Sequence, residues 1–457
     1  MRNYLSKKWN SPYFTYGQIF AMLLPLILDQ FFISVINLLT TAMISSSSQE
    51  SVSAVSLVSP IYMMIYAVFN AVSSGGTVII AQYKGQGDKR SMEKAAELIV
   101  YSTTLTAVIL SAVFIIFARP IINAMYGAVD PEIVDKAVMY LIGCAISFIF
   151  LAIYLGGFAI FRGIGETKTC LYLSVIINLI HLIASYIFIN IMKLDILGTV
   201  LALNIARVIG GIVCMYFLYG RKSKLGFTFH FSEIYHPDMN ILGRVINISI
   251  PFAIEQLCFN GASIITSMYI VKFGTKSVAA NAVASAVLML FYSVGMSVSN
   301  LSVTIVGQCI GAKDFGWAKR YGKRIVIMGE WAIILSIAAF LPILRPLLTI
   351  YGAPQDTVSL IYKLVIIVLV PMAFFWSSSN VLPNVMRSAG DVYYASVVSL
   401  ITMWVVRVGL GYILSVTFDL GIEGVWICIG IEYAVRTLIF IIRFRSGKWI
   451  KTGDVKY

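Results

Sequence analysis

Apolar residues run along this chain in stretches far longer than a soluble core element needs, broken by short polar connections. Windows of about 20 apolar residues, enough to cross a bilayer as a helix, recur throughout. They lie near 18–43, 55–82, 96–118, 137–160, 169–190, 196–219, 244–271, 279–308, 324–347, 360–385, 393–416 and 423–443. The pattern predicts an all-α polytopic membrane protein with twelve transmembrane helices. The longest polar link, "YGRKSKLGFTFHFSEIYHPDMN" (219–240), carries aromatics suited to the membrane interface.

Sliding the sequence along itself by 226 residues places Pro25 on Pro251, Asp29 on Glu255 and Gln30 on Gln256. The same shift lays "AQYKGQGDK" (81–89) over "GQCIGAKDF" (307–315). With a slip of one, "RGIGE" (162–166) meets "RSAGD" (387–391). The chain therefore reads as two pseudo-symmetric six-helix bundles, residues 1–219 and 241–457, joined by a cytoplasmic linker at 220–240. An even number of spans per half predicts an axis along the membrane normal, with a path between the halves.

The first and seventh spans share one polar sector. With Asp29 set at 0° and about 100° per residue, Thr40, Asn37, Gln30, Thr41 and Ser34 fall between about 20° and 140°. The rest of that helix is apolar. In span seven Glu255, Gln256, Asn260, Ser263, Thr266 and Ser267 repeat the sector. Both acids lie near mid-membrane, where a charge costs at least ~2.5–3.5 kcal/mol and usually faces the bundle interior or a water-filled path. The bland alternative is an acid that only locks helices together.

The formal net charge of +13 invites a nucleic-acid reading. The cations gather instead in short connections, as the positive-inside rule expects: Lys84, Lys89, Arg90 and Lys94; Lys313, Lys319, Arg320, Lys323 and Arg324; and both chain ends. Arg162, Lys168 and Arg387 are placed with them. Both termini are thus expected in the cytoplasm, with no nucleic-acid partner. Cys144, Cys170, Cys214, Cys258, Cys309 and Cys428 form no CxxC or Cys/His cluster, so neither a disulfide framework nor a metal site is expected. The first apolar run is too long for a cleavable signal peptide. No nucleotide-binding loop or nucleophile–base set appears, so neither ATP-driven transport by this chain alone nor enzymatic activity is expected.

These motifs, in this order, resemble the multidrug and toxic compound extrusion (MATE) family of bacterial type: "LPLILDQ" and "IPFAIEQ", "AQYKGQGD" and "GQCIGAKD", "FRGIGETK" and "MRSAGD". The resemblance implies secondary antiport of amphipathic, mainly cationic small molecules against protons or sodium by alternating access. It also implies a multi-pass protein of the bacterial cytoplasmic membrane, without cofactor, taken as a monomer in the lipid bilayer. Two departures matter. Where many members carry a "VDT" acid, this chain reads "LLTT", with Thr40 in the acid's place. Four residues after Asn178, where some members have an acid, stands Leu182, and span ten lacks the acid that some members use for sodium. Proton coupling is therefore favoured over sodium, with Asp29 one candidate replacement for the missing acid. The alternative function is a flippase for a lipid-linked precursor in the same wider superfamily; two acids and twelve spans favour the antiporter.

Further ionisable residues lie in apolar runs. The 226-residue shift matches His181 with Arg407, which suggests two equivalent pairs, Asp29 with His181 and Glu255 with Arg407. Glu432 and Arg436 are spaced for an intrahelical pair, and Asn204 and Arg207 are weaker cavity candidates. Met63, Met64 and Tyr66 correspond to Met289, Leu290 and Tyr292, and suit either a repackable binding surface or plain packing.

Overall fold

In the computed structural model the described residues are 10–45, 48–126, 130–220, 227, 238–350 and 355–450; the side chains of Asn37 and Thr41 and most of the 220–240 linker lie outside them. The described chain is helical, without strands. The first half holds α1 (Tyr16–Ser45), α2 (Gln49–Gln86), α3 (Lys89–Ile116), α4 (Ala118–Tyr126), α5 (Pro131–Ile146), α6 (Phe148–Ile164), α7 (Thr167–Ser185) and α8 (Asp195–Tyr219). The second holds α9 (Met239–Ile270), α10 (Thr275–Gly311), α11 (Phe315–Ile350), α12 (Gln355–Ser388), α13 (Val392–Thr402) and α14 (Gly421–Arg445). With α7 and α13 taken as far as Ile191 and Thr417, through the helical turns that continue them, eleven of these segments are long and apolar enough to cross a membrane, and α5 with α6 makes a twelfth if the pair, bent by 46°, is one span.

That bend has a chemical cause. At Ser147 the helix ladder is broken, and the Cys144 carbonyl accepts from the Ser147 amide at 3.3 Å and its hydroxyl at 3.1 Å. Arg207 then donates to the same carbonyl at 3.3 Å and to Ser147 Oγ at 2.8 Å. A freed backbone acceptor in an apolar layer needs such a donor.

The duplication reappears in the backbone itself. Three turns carry left-handed residues at matching places in the two halves: Gly87 (φ 74°) and Lys313 (58°) in the first, Gly165 (96°) and Gly390 (90°) in the second, and in the third both Lys193 (51°) with Asp419 (55°) and Asp195 (54°) with Gly421 (56°). At the second of these the amide of Glu166 bonds the Phe161 carbonyl (2.9 Å), as Asp391 bonds Met386 (3.1 Å). Both are closures of a helix end by a left-handed residue. Wide bonds also recur after spans five and eleven, from Leu194 to the Phe188 carbonyl and from Leu420 to that of Leu414. Asp88 and Asp314 cap the following helices through the amides of Ser91 and Trp317, each at 3.0 Å. The hydroxyl and amide of Ser91 hold the Asp88 carboxyl below the usual carboxylate range.

By contacts the chain divides into two compact units, one made of Met1–Gln30 with Ile254–Tyr457 and the other of Phe31–Ala253. The opening of α1 therefore belongs to the unit built by the second half: Leu23 and Leu26 lie in its core, and Ser297 Oγ donates to the Leu26 carbonyl at 3.0 Å. Reciprocally, the opening of α9 belongs to the other unit. Arg244 donates to Gln82 Oε1 (2.7 Å) and to the Tyr83 hydroxyl (3.0 Å), and Gly75 leaves room for Ser249. Pro25 and Pro251 stand inside these two helices at equivalent places, each removing one ladder donor.

Gly165→Ala and Gly390→Ala should each destabilise the protein by about 1–2 kcal/mol, since a Cβ is strained at positive φ. Gly243→Ala, on a helix with nothing within 4 Å of the added carbon, should be neutral. Melting of the purified protein in detergent checks this; equal effects at all three positions would refute it.

Candidate functional site

Asp29 sits on α1 within an apolar run and is 2 % exposed. Its neighbours in the expected polar sector are mixed. Thr40 is buried and donates to the Ile36 carbonyl at 3.0 Å, while Gln30 and Ser34 are half-buried. On α9 the sector is satisfied mostly by its own helix: Asn260 donates to the Gln256 carbonyl (3.0 Å), Ser263 to Phe259 (3.0 Å) and Thr266 to Ala262 (2.8 Å). Such back-bonding lets a polar side chain sit in an apolar layer without a distant partner. Asn178 does the same to Ser174 at 2.8 Å. Gln256 is half-buried.

The expected pairing of Glu255 with Arg407 is not what forms. Glu255 is bound by Arg387, and its side chain is only 14 % exposed. Arg387 in turn donates to Asn384 Oδ1 at 2.7 Å, and Asn384 to Ser299 Oγ at 2.7 Å. Arg387 was expected among the exposed loop cations, yet it is buried. It lies in the last turn of α12, so its long side chain reaches back along the helix into the bundle.

Arg407 pairs instead with Glu432 of α14, Nε to Oε2 at 2.5 Å. The intrahelical Glu432–Arg436 bond is also present, so one fully buried carboxylate serves two guanidiniums. Arg436 also donates from Nε to Thr402 Oγ1 (3.1 Å) and from Nη2 to the Ser399 carbonyl (3.2 Å). Arg407 lies in a π-helical stretch, Met403–Leu410, that follows α13. A one-residue widening of this kind re-aims side chains and is frequent at functional sites.

Three more groups belong to the inventory. His181, on α7, is half-buried, and the charge that acts on it is that of Arg207. Arg207 donates to the Tyr62 hydroxyl at 2.8 Å and lies over that ring. Glu330 on α11 went unremarked in the sequence, although a single acid in "VIMGEWAII" is a visible signal. Its Oε1 accepts from the Ser378 amide (3.0 Å) and hydroxyl (3.2 Å), while its Oε2 is buried with no hydrogen-bond partner among the described residues. Asp391, fully buried, takes both ends of Arg443 at 2.9 and 3.1 Å. Of the apolar candidates, Met63 and Met289 are 55 % and 56 % exposed, whereas Tyr66 stacks on Tyr62 and Tyr292 on Trp376.

A helical chain of this hydropathy, duplicated and carrying arginine–carboxylate pairs inside its spans, is a multi-pass membrane protein with a polar interior. The MatE family model matches residues 25–187 and again 251–413, stretches whose starts lie 226 residues apart, as do their ends. The chain belongs to the MatE family, and it is a membrane transporter. It is 26 % identical to YisQ of Bacillus subtilis, named an uncharacterized transporter, over 90 % of both chains. To NorM of Thermotoga maritima, named a probable multidrug resistance protein, it is 22 % identical over 90 % of this chain and 88 % of that one. Among solved structures, MATE in the straight conformation aligns with a TM-score of 0.84 at 20 % identity, covering 94 % of this chain and 95 % of the other. A MOP superfamily transporter from Pyrococcus furiosus aligns at 0.85 and 19 %, covering 95 % and 96 %.

Arg387→Gln should leave Glu255 as a buried charge without its guanidinium and cost ~3–5 kcal/mol. The double variant with Glu255→Gln should recover most of that loss. Thermal melting of the four proteins decides it, and purely additive losses would show that the two side chains are not coupled.

Proposed function

We propose that the chain exports amphipathic, mainly cationic small molecules in exchange for protons, by alternating access, from the cytoplasmic membrane of a bacterium. Asp29 carries this reading. It is a carboxylate set deep in an apolar span, where gaining or losing a proton changes the charge of the interior. Glu255, Glu432 and Asp391 are each held by arginine, so their charges are balanced by fixed cations. The relatives named as multidrug resistance proteins support efflux of varied compounds. "LLTT" in span one and the absence of an acid from span ten support protons over sodium.

The cation-rich ends of α2 and α3, and of α10 and α11, support an orientation with both termini in the cytoplasm. Exposed methionines at Met63 and Met289 offer surfaces that repack around differently shaped ligands. The protein works as a monomer in this reading.

Ethidium transport in everted vesicles under an imposed proton gradient tests the proposal. The wild type should accumulate the dye, a sodium gradient alone should give none, and Asp29→Asn at equal expression should lose at least about tenfold in initial rate. Full activity in Asp29→Asn, or transport driven by sodium alone, would overturn it.

A further inference from the structure

We infer that the outer face of α11, where the helix meets the membrane surface, holds an anionic phospholipid, with Arg320 and Arg324 on its phosphate and an acyl chain along the apolar stripe beyond them. Trp317, Arg320, Arg324, Ile327, Trp331 and Leu335 succeed one another at steps of three or four residues. They fall within about 80° of one another around the helix. α11 packs on α10 and α12 with its opposite side. There Gly322 lies against Val385, and Gly329 against Ser377 and Val298. On the stripe itself Trp331 and Leu335 are 61 % and 66 % exposed. From Arg324 to Leu335 the helix rises about 17 Å, about the depth of one leaflet of the hydrocarbon core.

The polar end of the stripe is short of negative charge. From Lys313 to Arg324 there are five cations, Lys313, Lys319, Arg320, Lys323 and Arg324, and one acid, Asp314. Asp314 is spent within the protein: Oδ1 accepts from the Trp317 amide at 3.0 Å and Oδ2 from the Tyr13 hydroxyl at 3.4 Å. Neither Arg320 nor Arg324 makes an ion pair among the described residues. A covered donor of Arg324, Nη1, has no hydrogen-bond partner among them either, so nothing inside the protein answers that charge.

Both guanidiniums rest instead against one ring. They lie 5.1 and 5.7 Å from the centre of Trp317. Tryptophan settles at the headgroup level of a bilayer, and its face holds the two long side chains in place. Two arginines one helical turn apart then present several N–H donors to phosphate oxygens. The positive-inside tendency accounts for cations in this connection, but it asks nothing about which face of the helix they take.

The duplicated half shows that the arrangement is not a by-product of the fold. At the 226-residue offset Trp331 and Leu335 match Leu105 and Ile109, which are also exposed apolar residues. The head of the stripe differs: Trp317 matches Ser91, Arg320 matches Lys94, and Arg324 matches the buried Leu98. Both halves offer a surface to acyl chains, and one of them adds the paired guanidiniums.

The site is independent of what the protein transports, and it is tested by lipid binding. The full-length protein in a non-ionic detergent is titrated with dioleoyl-phosphatidylglycerol or dioleoyl-phosphatidylcholine, which share their acyl chains, and adducts are read by native mass spectrometry. The wild type should bind the anionic lipid about twentyfold more tightly, since each cation beside an anionic headgroup contributes about fivefold. In Arg320→Gln/Arg324→Gln the preference should fall to about twofold. Trp317→Ala keeps both charges and should lose about threefold, the scale of a surface cation–π contact. Lys89→Gln/Arg90→Gln removes two exposed cations from the equivalent connection of the first half and should keep the wild-type preference. Excess sn-glycerol 3-phosphate, a headgroup without chains, should not displace the lipid. Melting curves verify that each variant is folded, and Trp317→Ala serves where the double arginine variant is not. Equal binding of the two lipids by the wild type, a full preference in the folded variants, an equal loss in the first-half control, or displacement by glycerol 3-phosphate would each overturn the inference.

Discussion

A charge in a hydrocarbon layer must be answered by another charge or by a dense set of hydrogen bonds, and the interior of this protein is organised around that requirement. Glu255 has Arg387, Asp391 has Arg443, and Glu432 has both Arg407 and Arg436. Glu330 has no arginine and takes the amide and hydroxyl of Ser378 instead. All of these but the intrahelical Glu432–Arg436 bond tie one helix to another, so the same interactions that make ionised groups tolerable also fix which helices are neighbours. Replacing a single member would leave its partner stranded in an apolar surrounding, which makes the network a constraint on the whole bundle.

Much of the architecture was legible because it rests on local chemistry. Span length and hydropathy follow from the thickness of a bilayer, and the repeat survives as matched residues at a constant offset. The structure reproduces the offset in its turns, down to left-handed residues whose types differ, as with Gly87 and Lys313. The break at Ser147 was not legible, since nothing around it is a proline or a glycine pair. It depends on Arg207 arriving from a different helix to satisfy the Cys144 carbonyl.

The interior was legible in part. A helical projection identifies the face on which Asp29 and Glu255 lie, but a face does not name a partner. Symmetry suggested Arg407 for Glu255, and the actual partner is Arg387, whose position at the end of α12 made it look like a loop residue. Long side chains reach a full helical turn from their own backbone, and no periodicity records that direction. Likewise Glu432 and Arg436 advertised a local pair by their spacing, while the third member came from a π-helical stretch that the sequence does not announce.

The exchange of helix openings between the two units bears on how the chain is made. The unit of residues 31–253 includes the opening of α9, so it is incomplete until the ribosome has passed the 220–240 link. The other unit needs Met1–Gln30, synthesised before residues 31–253, together with residues from Ile254 onward, synthesised after them. The opening of α1 therefore waits through the synthesis of residues 31–253 before it meets its neighbours. Neither unit can be released as a finished product before the other has begun, and a chain severed in its central link would yield two fragments that each hold a piece of the other's interior.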